Sequence, residues 1–415
     1  MKIVDVITSK AFTGFYFDDQ RAIKTGAVMD GFTYVGEPLT PSFSAIRQAG
    51  EALSVMLVLD DGQIAYGDCA AVQYSGASGR DPLFLVDTYQ TIVETVLTPW
   101  LHGANTHEYF KHMTMLETLT YEGKKLHTAI RYGVSQALLD AYAKTHRIPV
   151  AMAVRKLYQI ASNDYRAVPL FAQSGDDRYL NVDKMIIKEV DVLPHALINN
   201  IDTKLGRQGE LLEAYVTWLK ERIITKRYRP EYHPVLHIDV YGTIGLIFDH
   251  DVDRMVQYLT RLSECAAPFT LRIEGPIDRG EQAATIAMLK QIKDGLKAAH
   301  VPLEIVADEW CNTLEDVRLF CAAQCCDMIQ VKTPDLGSVH DIIEALRLCQ
   351  AHGIAAYSGG TCNETDLSAQ MTTSIAVALN AAQVLAKPGM GTDEGIMVVY
   401  NHMMRELARI ERMNV

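Results

Sequence analysis

The rhythm of apolar and polar residues changes near residue 165. Before it, ALSVMLVLDDGQIAYGDCA holds two β-rich runs around Asp61-Gly62 and predicts a hairpin. DPLFLVDTYQTIVETVLTPWL has helical spacing and predicts an amphipathic helix. HTAIRYGVSQALLDAYAKTHRIPVAMAV predicts a helix that ends near Arg147-Ile148-Pro149, then the start of another. This first stretch, residues 1–162, is expected to be an α+β capping domain.

Beyond it, short apolar runs alternate with helical stretches. Strands are predicted at 168–173, 185–196, 235–240, 271–276, 303–310, 328–333, 354–359 and 383–388. Between them lie helical patterns such as DVDRMVQYLTRLSECA, EQAATIAMLKQIKDGLKAAH, LEDVRLFCAAQC and VHDIIEALRLCQAHG. Thr313 with Asp316, and Ser338 with Asp341, have capping-box spacing, and Gly353 stands where a helix-ending glycine would. Eight strands, each followed by a helix or loop, make residues 163–415 a (β/α)8 barrel. A doubly wound sheet would be favoured by a Gly-rich nucleotide turn after its first strand. AQSGDDR is not one, and GMGTDEG lacks the fingerprint spacing.

Length and composition narrow the class. A chain of 415 residues allows two or three domains, or one large barrel with an attachment. Hydrophobic content of 48% and charged content of 22% are ordinary for a globular protein. A formal charge of −12, with no Lys/Arg cluster, argues against nucleic acid or anionic lipid as a partner. No apolar run reaches the roughly 18 residues of a membrane span, and Asp5 interrupts the place where a signal peptide needs its apolar core. The eight cysteines form no C-x-x-C framework; Cys321, Cys325, Cys326 and Cys349 lie in or beside helical patterns, as small reduced hydrophobes. The expectation is a soluble cytoplasmic protein.

A barrel keeps its chemistry at the C-terminal ends of its strands. Those positions hold Gln173, His195, Asp239, Glu274, Asp308, Gln330 with Lys332, and Thr361 with Cys362. Asp239, Glu274 and Asp308 are each about one strand–helix repeat apart, so three neighbouring strand ends aim carboxylates at one point. Taken singly, each is a helix cap or a loop residue. Together they would repel strongly in a low-dielectric mouth, and a divalent cation is the natural remedy. Oxygen ligands favour Mg2+ or Mn2+ over zinc. Zinc hydrolase chemistry finds no H-x-H after the first strand and no H-E-x-x-H.

Gln330 and Lys332 share a strand face. A lysine aimed into the barrel near a cation has its pKa lowered and suits a general base, whereas a lysine at the rim stays in water. A Schiff-base role is disfavoured by the carboxylate trio. His195, opposite Lys332, is as much a structural candidate as a catalytic one. His237 is taken as a structural barrel residue, and Glu309 is set aside because strand alternation turns it away from Asp308. Cys362, in GGTCNET, has no histidine beside it to make it a nucleophile; with Thr361 it offers small donors to an anionic substrate.

The cap-then-barrel order and the Asp, Glu, Asp trio resemble the enolase superfamily. Within it, FAQSGDDRY, DVLPHALINN, HIDVYGTIG, RIEGP, VADEWCNT, QVKTPDLG, GGTCNET and LAKPGMG closely resemble the methylaspartate ammonia-lyases, essentially from end to end. The resemblance implies elimination of ammonia from L-threo-3-methylaspartate to give mesaconate. It implies Asp239, Glu274 and Asp308 as Mg2+ ligands, Lys332 as base and His195 as a second base or acid on the other face. Gln173, Gln330, Thr361 and Cys362 would hold the substrate's carboxylates and amine, with Gln73 in AAVQYSGASGR as a lid contact. K+ activation, a homodimer and a place in glutamate degradation through mesaconate are implied on the same basis. Rival expectations are an epimerase or acid-sugar dehydratase, which share the proton-abstraction half-step, and a barrel protein that only binds.

Overall fold

The computed structural model describes residues 1–76, 80–175 and 177–413. A three-stranded antiparallel sheet, Ile3–Asp18, Arg47–Leu59 and Ile64–Cys69, opens the chain with Arg47–Leu59 in the middle. The predicted hairpin joins the last two strands, and Gly62 at its tip has φ of 85°, a left-handed turn conformation that glycine takes without strain.

The helix Thr128–His146 packs across this sheet with almost every face buried. Two glycines permit the approach. A Cβ at Gly67 would collide with the Gly133 carbonyl, and one at Gly133 would collide with the backbone and thiol of Cys69. The Gln136 amide accepts from Asp68 N–H at 3.3 Å and donates to Asp68 C=O at 3.2 Å, while Asp140 accepts from Tyr66 N–H at 2.9 Å. The helix therefore supplies hydrogen bonds to a strand edge that burial would otherwise leave unpaired.

Eight parallel strands then close a barrel: Leu170–Phe171, Val192–Leu197, Val235–Asp239, Leu271–Glu274, Leu303–Ala307, Met328–Val331, Ala355–Ser358 and Gln383–Leu385. Each pairs with the next, and the last returns to the first through Val384 beside Leu170. Phe171, Val192, Val306, Met328, Tyr357 and Leu385 fill the barrel interior as a cluster of their own. The remaining apolar core lies between barrel and helices and continues into the cap.

Two predicted elements differ. Residues 185–187 end the helix Leu180–Ile187, and the strand begins only at Val192. An apolar run that spans a helix end and the next strand has no periodicity to divide it. The long helix expected from Asp81 is shorter and broken: Leu83 and Phe84 are buried ahead of Val86–Ile92, a π-turn covers Val93–Leu97, and Thr98–Leu101 follows. Both helix starts carry the predicted caps, complete at Thr313/Asp316 and one-sided at Ser338. All eight cysteines are free.

Gly133→Ala is expected to lower stability by about 1–3 kcal/mol, because the added methyl must displace the Asp68–Cys69 backbone and the buried Cys69 thiol. A urea midpoint unchanged from the parent protein would contradict this packing.

Candidate metal centre and active site

The polar residues predicted at strand ends converge on one mouth of the barrel. Asp239 and Glu274 are the last residues of adjacent strands and stand side by side in register. Asp308 follows the next strand, just beyond Ala307. His195 arrives by a bulge: His237 pairs with Pro194 and Ile238 with Ala196, leaving His195 as the extra residue, with φ of 45°. A left-handed histidine is strained, and the bulge turns its ring toward the carboxylates. Its Nε2 lies 3.9 Å from Asp239 Oδ2 and 3.8 Å from Glu274 Oε2, and neither ring nitrogen has a hydrogen-bond partner among the described residues.

Glu274 is fully buried and held from several sides. Tyr357 O–H contacts both its oxygens, at 3.0 and 2.9 Å, and the Gln330 amide donates to Oε1 at 2.6 Å. His237 Nε2 meets Oε2 at 2.7 Å, while the Gln383 amide donates to His237 Nδ1 at 3.0 Å. That second bond makes Nδ1 the acceptor and leaves the proton on Nε2, facing Glu274. Burial pushes the His237 pKa far down, so the ring is a neutral donor. His237 is a structural barrel residue, as expected, and one whose work is to orient a carboxylate.

Electrostatics at this mouth are dominated by desolvation. Burial, then Asp308, raises the Asp239 carboxyl well above its ordinary range. Burial, then Asp239 and Asp308, does the same to Glu274. The ionised trio is thus unfavourable on its own, and neutralisation by a cation reverses that cost. One ligand atom each from His195, Asp239 and Glu274 lies within 4.8 Å of the others, while Asp308 Oδ1 contacts Lys332 Nζ at 2.7 Å. The buried oxygens of Asp239 and Glu274, with those of Asp308 after the next strand, form an oxygen-rich donor set that fits Mg2+, and the His195 ring stands beside it.

Lys332 caps the short helix Thr333–Leu336 just past its strand. Burial lowers its pKa, but Asp308 and then Glu309 outweigh it, so the net direction is up. Where a cation neutralises Asp308, the largest raising influence goes and burial pulls the ammonium down, the direction a base requires. Burial pushes the His195 pKa down to about 4, which leaves a neutral ring at neutral pH.

The other predicted residues lie at or beyond the same ends of their strands. The Gln173 amide nitrogen is tied to the carbonyls of Ala386 and Gly389, at 3.3 and 3.1 Å. Thr361 and Cys362 lie on the loop after Ala355–Ser358. Burial pushes the Cys362 thiol up to about 12, too high for a nucleophilic thiolate. Its Sγ lies 3.5 Å from Gln73 Oε1, and the Gln73 amide nitrogen donates to Asp18 at 2.6 Å, bringing the cap to the site. Residues 77–79 of that cap loop, and Asp176 of FAQSGDDRY, lie outside the described residues.

Glu309 belongs to the site's charge cluster: Asp308, and then burial, raises its carboxyl. Alternation misplaced it because the strand ends at Ala307. Its adjacency to Asp308 was the available signal. Tyr357 and Gln383 were also missed; nothing in their local sequence distinguishes them from other barrel residues.

Comparison with known proteins covers both halves of the chain. Residues 1–159 match the family model described as methylaspartate ammonia-lyase N-terminus, and residues 163–412 the one described as methylaspartate ammonia-lyase C-terminus. The methylaspartate ammonia-lyase of Clostridium tetanomorphum is 54% identical over 412 residues, covering 99% of this chain and 100% of the relative. A crystal structure of β-methylaspartase from that organism, an Mg complex, superposes with a TM-score of 0.97, 54% identity and full coverage of both chains. The Citrobacter amalonaticus methylaspartate ammonia lyase containing (2S,3S)-3-methylaspartic acid superposes equally well, TM-score 0.97, at 49% identity and full coverage of both chains. Muconate lactonizing enzyme from Pseudomonas putida, 14% identical with a TM-score of 0.61 over 96% of this chain and 89% of that one, shares the fold.

Replacing His237 by Phe keeps a ring against Phe171, on which the imidazole stacks at 4.3 Å, but removes the donor to Glu274. Calorimetric titration is expected to show Mg2+ affinity about 10–100-fold weaker. Unchanged affinity would mean that His237 only fills space.

Proposed function

The chain belongs to the methylaspartate ammonia-lyase family, and from that premise we propose how its residues divide the reaction. The enzyme is a carbon–nitrogen lyase that eliminates ammonia reversibly, in the anti sense, from L-threo-3-methylaspartate to give mesaconate. The observation that carries the assignment of roles is the meeting of Asp239, Glu274 and Asp308 with Lys332 in one buried mouth, Lys332 Nζ standing 2.7 Å from Asp308.

Asp239, Glu274 and Asp308 hold Mg2+. When bound, the cation offsets the negative charge that gathers on the carboxylate next to C3 as its proton leaves. Lys332 accepts that proton. The electrons of the C3–H bond form the C2–C3 double bond, and ammonia departs from C2 with the C–N pair. Gln173, Gln330, Thr361 and Cys362 hold the two substrate carboxylates and the amine, with Gln73 closing from the cap. His195, neutral and on the opposite face, takes the C3 proton of the erythro epimer.

In this reading Mn2+ can stand in for Mg2+ at the same ligands, and K+ acts as a monovalent activator. We take residues 1–162 as the capping domain and 163–415 as the barrel domain that bears the chemistry. Family resemblance supports a homodimer and a role in glutamate degradation through mesaconate. The acidic charge supports a protein that binds neither nucleic acid nor membranes and works in the cytoplasm; no helix among the described residues is long and apolar enough to cross a membrane.

Ultraviolet absorbance of mesaconate tests these roles. Lys332→Ala should lower turnover of the threo substrate by about 10²–10⁴-fold while Mg2+ binding persists. His195→Ala should impair the erythro epimer more than the threo. A near-normal rate for the first variant would remove Lys332 as the base. Equal losses on both epimers for the second would leave His195 as a binding residue.

A further inference from the structure

One buried charge pair has no part in those roles. Lys387, just past the last barrel strand, and Glu364, on the loop after Ala355–Ser358, are both fully buried, with Nζ 2.8 Å from Oε1. A single buried ion pair contributes little net stability, because desolvation offsets the attraction. What distinguishes this one is the set of groups it joins.

Lys387 Nζ also donates to the Gly359 carbonyl at 2.5 Å and to Thr333 Oγ1 at 2.9 Å. Thr333 is the residue after Lys332, and its hydroxyl contacts Glu364 Oε1 at 2.9 Å. Thr361 N–H donates to the same oxygen at 3.3 Å. Glu364 Oε2 accepts from Tyr132 O–H, on the long cap helix, at 2.8 Å and from Ser368 O–H at 3.1 Å. A Cβ at Gly360 would collide with both Glu364 Oε1 and Lys387 Nζ, so the loop wraps the pair as tightly as glycine allows. The loop is pinned from outside as well: Gly389 N–H donates to the Cys362 carbonyl at 2.8 Å, and Gly14 N–H to the Glu364 carbonyl at 2.7 Å.

We propose that the Lys387–Glu364 pair is a positioning device, which holds the strand end bearing Lys332 and the loop bearing Thr361 and Cys362 in one fixed relation. The inference rests on the roles assigned above to those three residues. Neither member of the pair touches the carboxylate trio in the contacts described, so its effect passes through Thr333 and the loop backbone. A charged pair with five further partners resists rotation in a way that an apolar contact would not. Burial pulls the Lys387 ammonium down while Glu364 opposes it, consistent with an ammonium that depends on its partner.

The test is the double variant Lys387→Met/Glu364→Gln, which leaves no unpaired buried charge, beside Thr333→Val, which removes only the hydroxyl between the pair and the base's strand end. Three quantities are measured on each: Mg2+ affinity by calorimetry, C3–H exchange of threo-3-methylaspartate in D2O by NMR, and kcat and KM for mesaconate formation. Positioning predicts folded variants with unchanged Mg2+ affinity, kcat and C3–H exchange lowered together by about tenfold or more in the double variant, and a raised KM. Thr333→Val should shift the same way by about threefold or more, and it decides the matter if the double variant fails to fold. A folded variant with kcat and KM within about twofold of the parent would overturn the proposal and leave the pair merely structural. Lys332→Ala and Thr361→Ala are controls for the premise. If they retain activity the assigned roles fall, and the positioning claim with them; if they lose it while the pair variants do not, positioning alone falls.

Discussion

Three carboxylates meeting in a place that excludes water are the constraint on which this molecule is built. Asp239 and Glu274 are side by side in register and Asp308 is one strand further on. Burial and mutual repulsion push the first two far above their ordinary range. A site of this kind is destabilising until a divalent cation occupies it, and the surrounding fold must hold it together meanwhile. The barrel does so with neutral donors: His237, Tyr357 and Gln330 all converge on Glu274. Gln383 fixes the His237 tautomer from behind. Tyr357 belongs to the cluster that fills the barrel interior and His237 stacks on Phe171 of that cluster, so the packing of the barrel also holds Glu274 in place.

The loop after Ala355–Ser358 depends on the cap. Gly67 and Gly133 let the long helix approach its strand, and one residue earlier Tyr132 reaches Glu364 in the barrel. From the other side, Thr13 O–H meets Asn363, whose amide donates to the Ala71 carbonyl at 3.0 Å. Gln73 then faces Cys362. The loop that carries Thr361 and Cys362 is therefore clamped between the two parts of the chain.

Much of this was legible in the sequence because it follows from periodicity. The repeat of strand and helix gives the barrel, and one carboxylate per repeat puts Asp239, Glu274 and Asp308 at or just past three consecutive strand ends. Family resemblance then supplied the chemistry. The gaps have physical causes. Strand alternation wrongly set Glu309 aside because the strand stops at Ala307, and alternation holds only within a strand. The bulge that turns His195 inward is a matter of register, which the chain alone does not display. Glu364 and Lys387 look like ordinary surface charges in GGTCNET and LAKPGMG; only closure of the barrel reveals that they bury each other.

The most direct measurement is thermal unfolding of the parent protein and of Asp239→Asn, each with and without Mg2+. Asp239 accepts only the Tyr241 N–H, at 3.2 Å, among its described hydrogen bonds, so the substitution removes charge while sacrificing little else. Charge repulsion predicts that without metal the variant unfolds at the same or a higher temperature than the parent. Mg2+ should then raise the parent's Tm, since it binds the folded state, and barely move the variant's. A variant less stable than its parent without metal, yet stabilised by Mg2+ to the same degree, would contradict a site organised around repelling carboxylates.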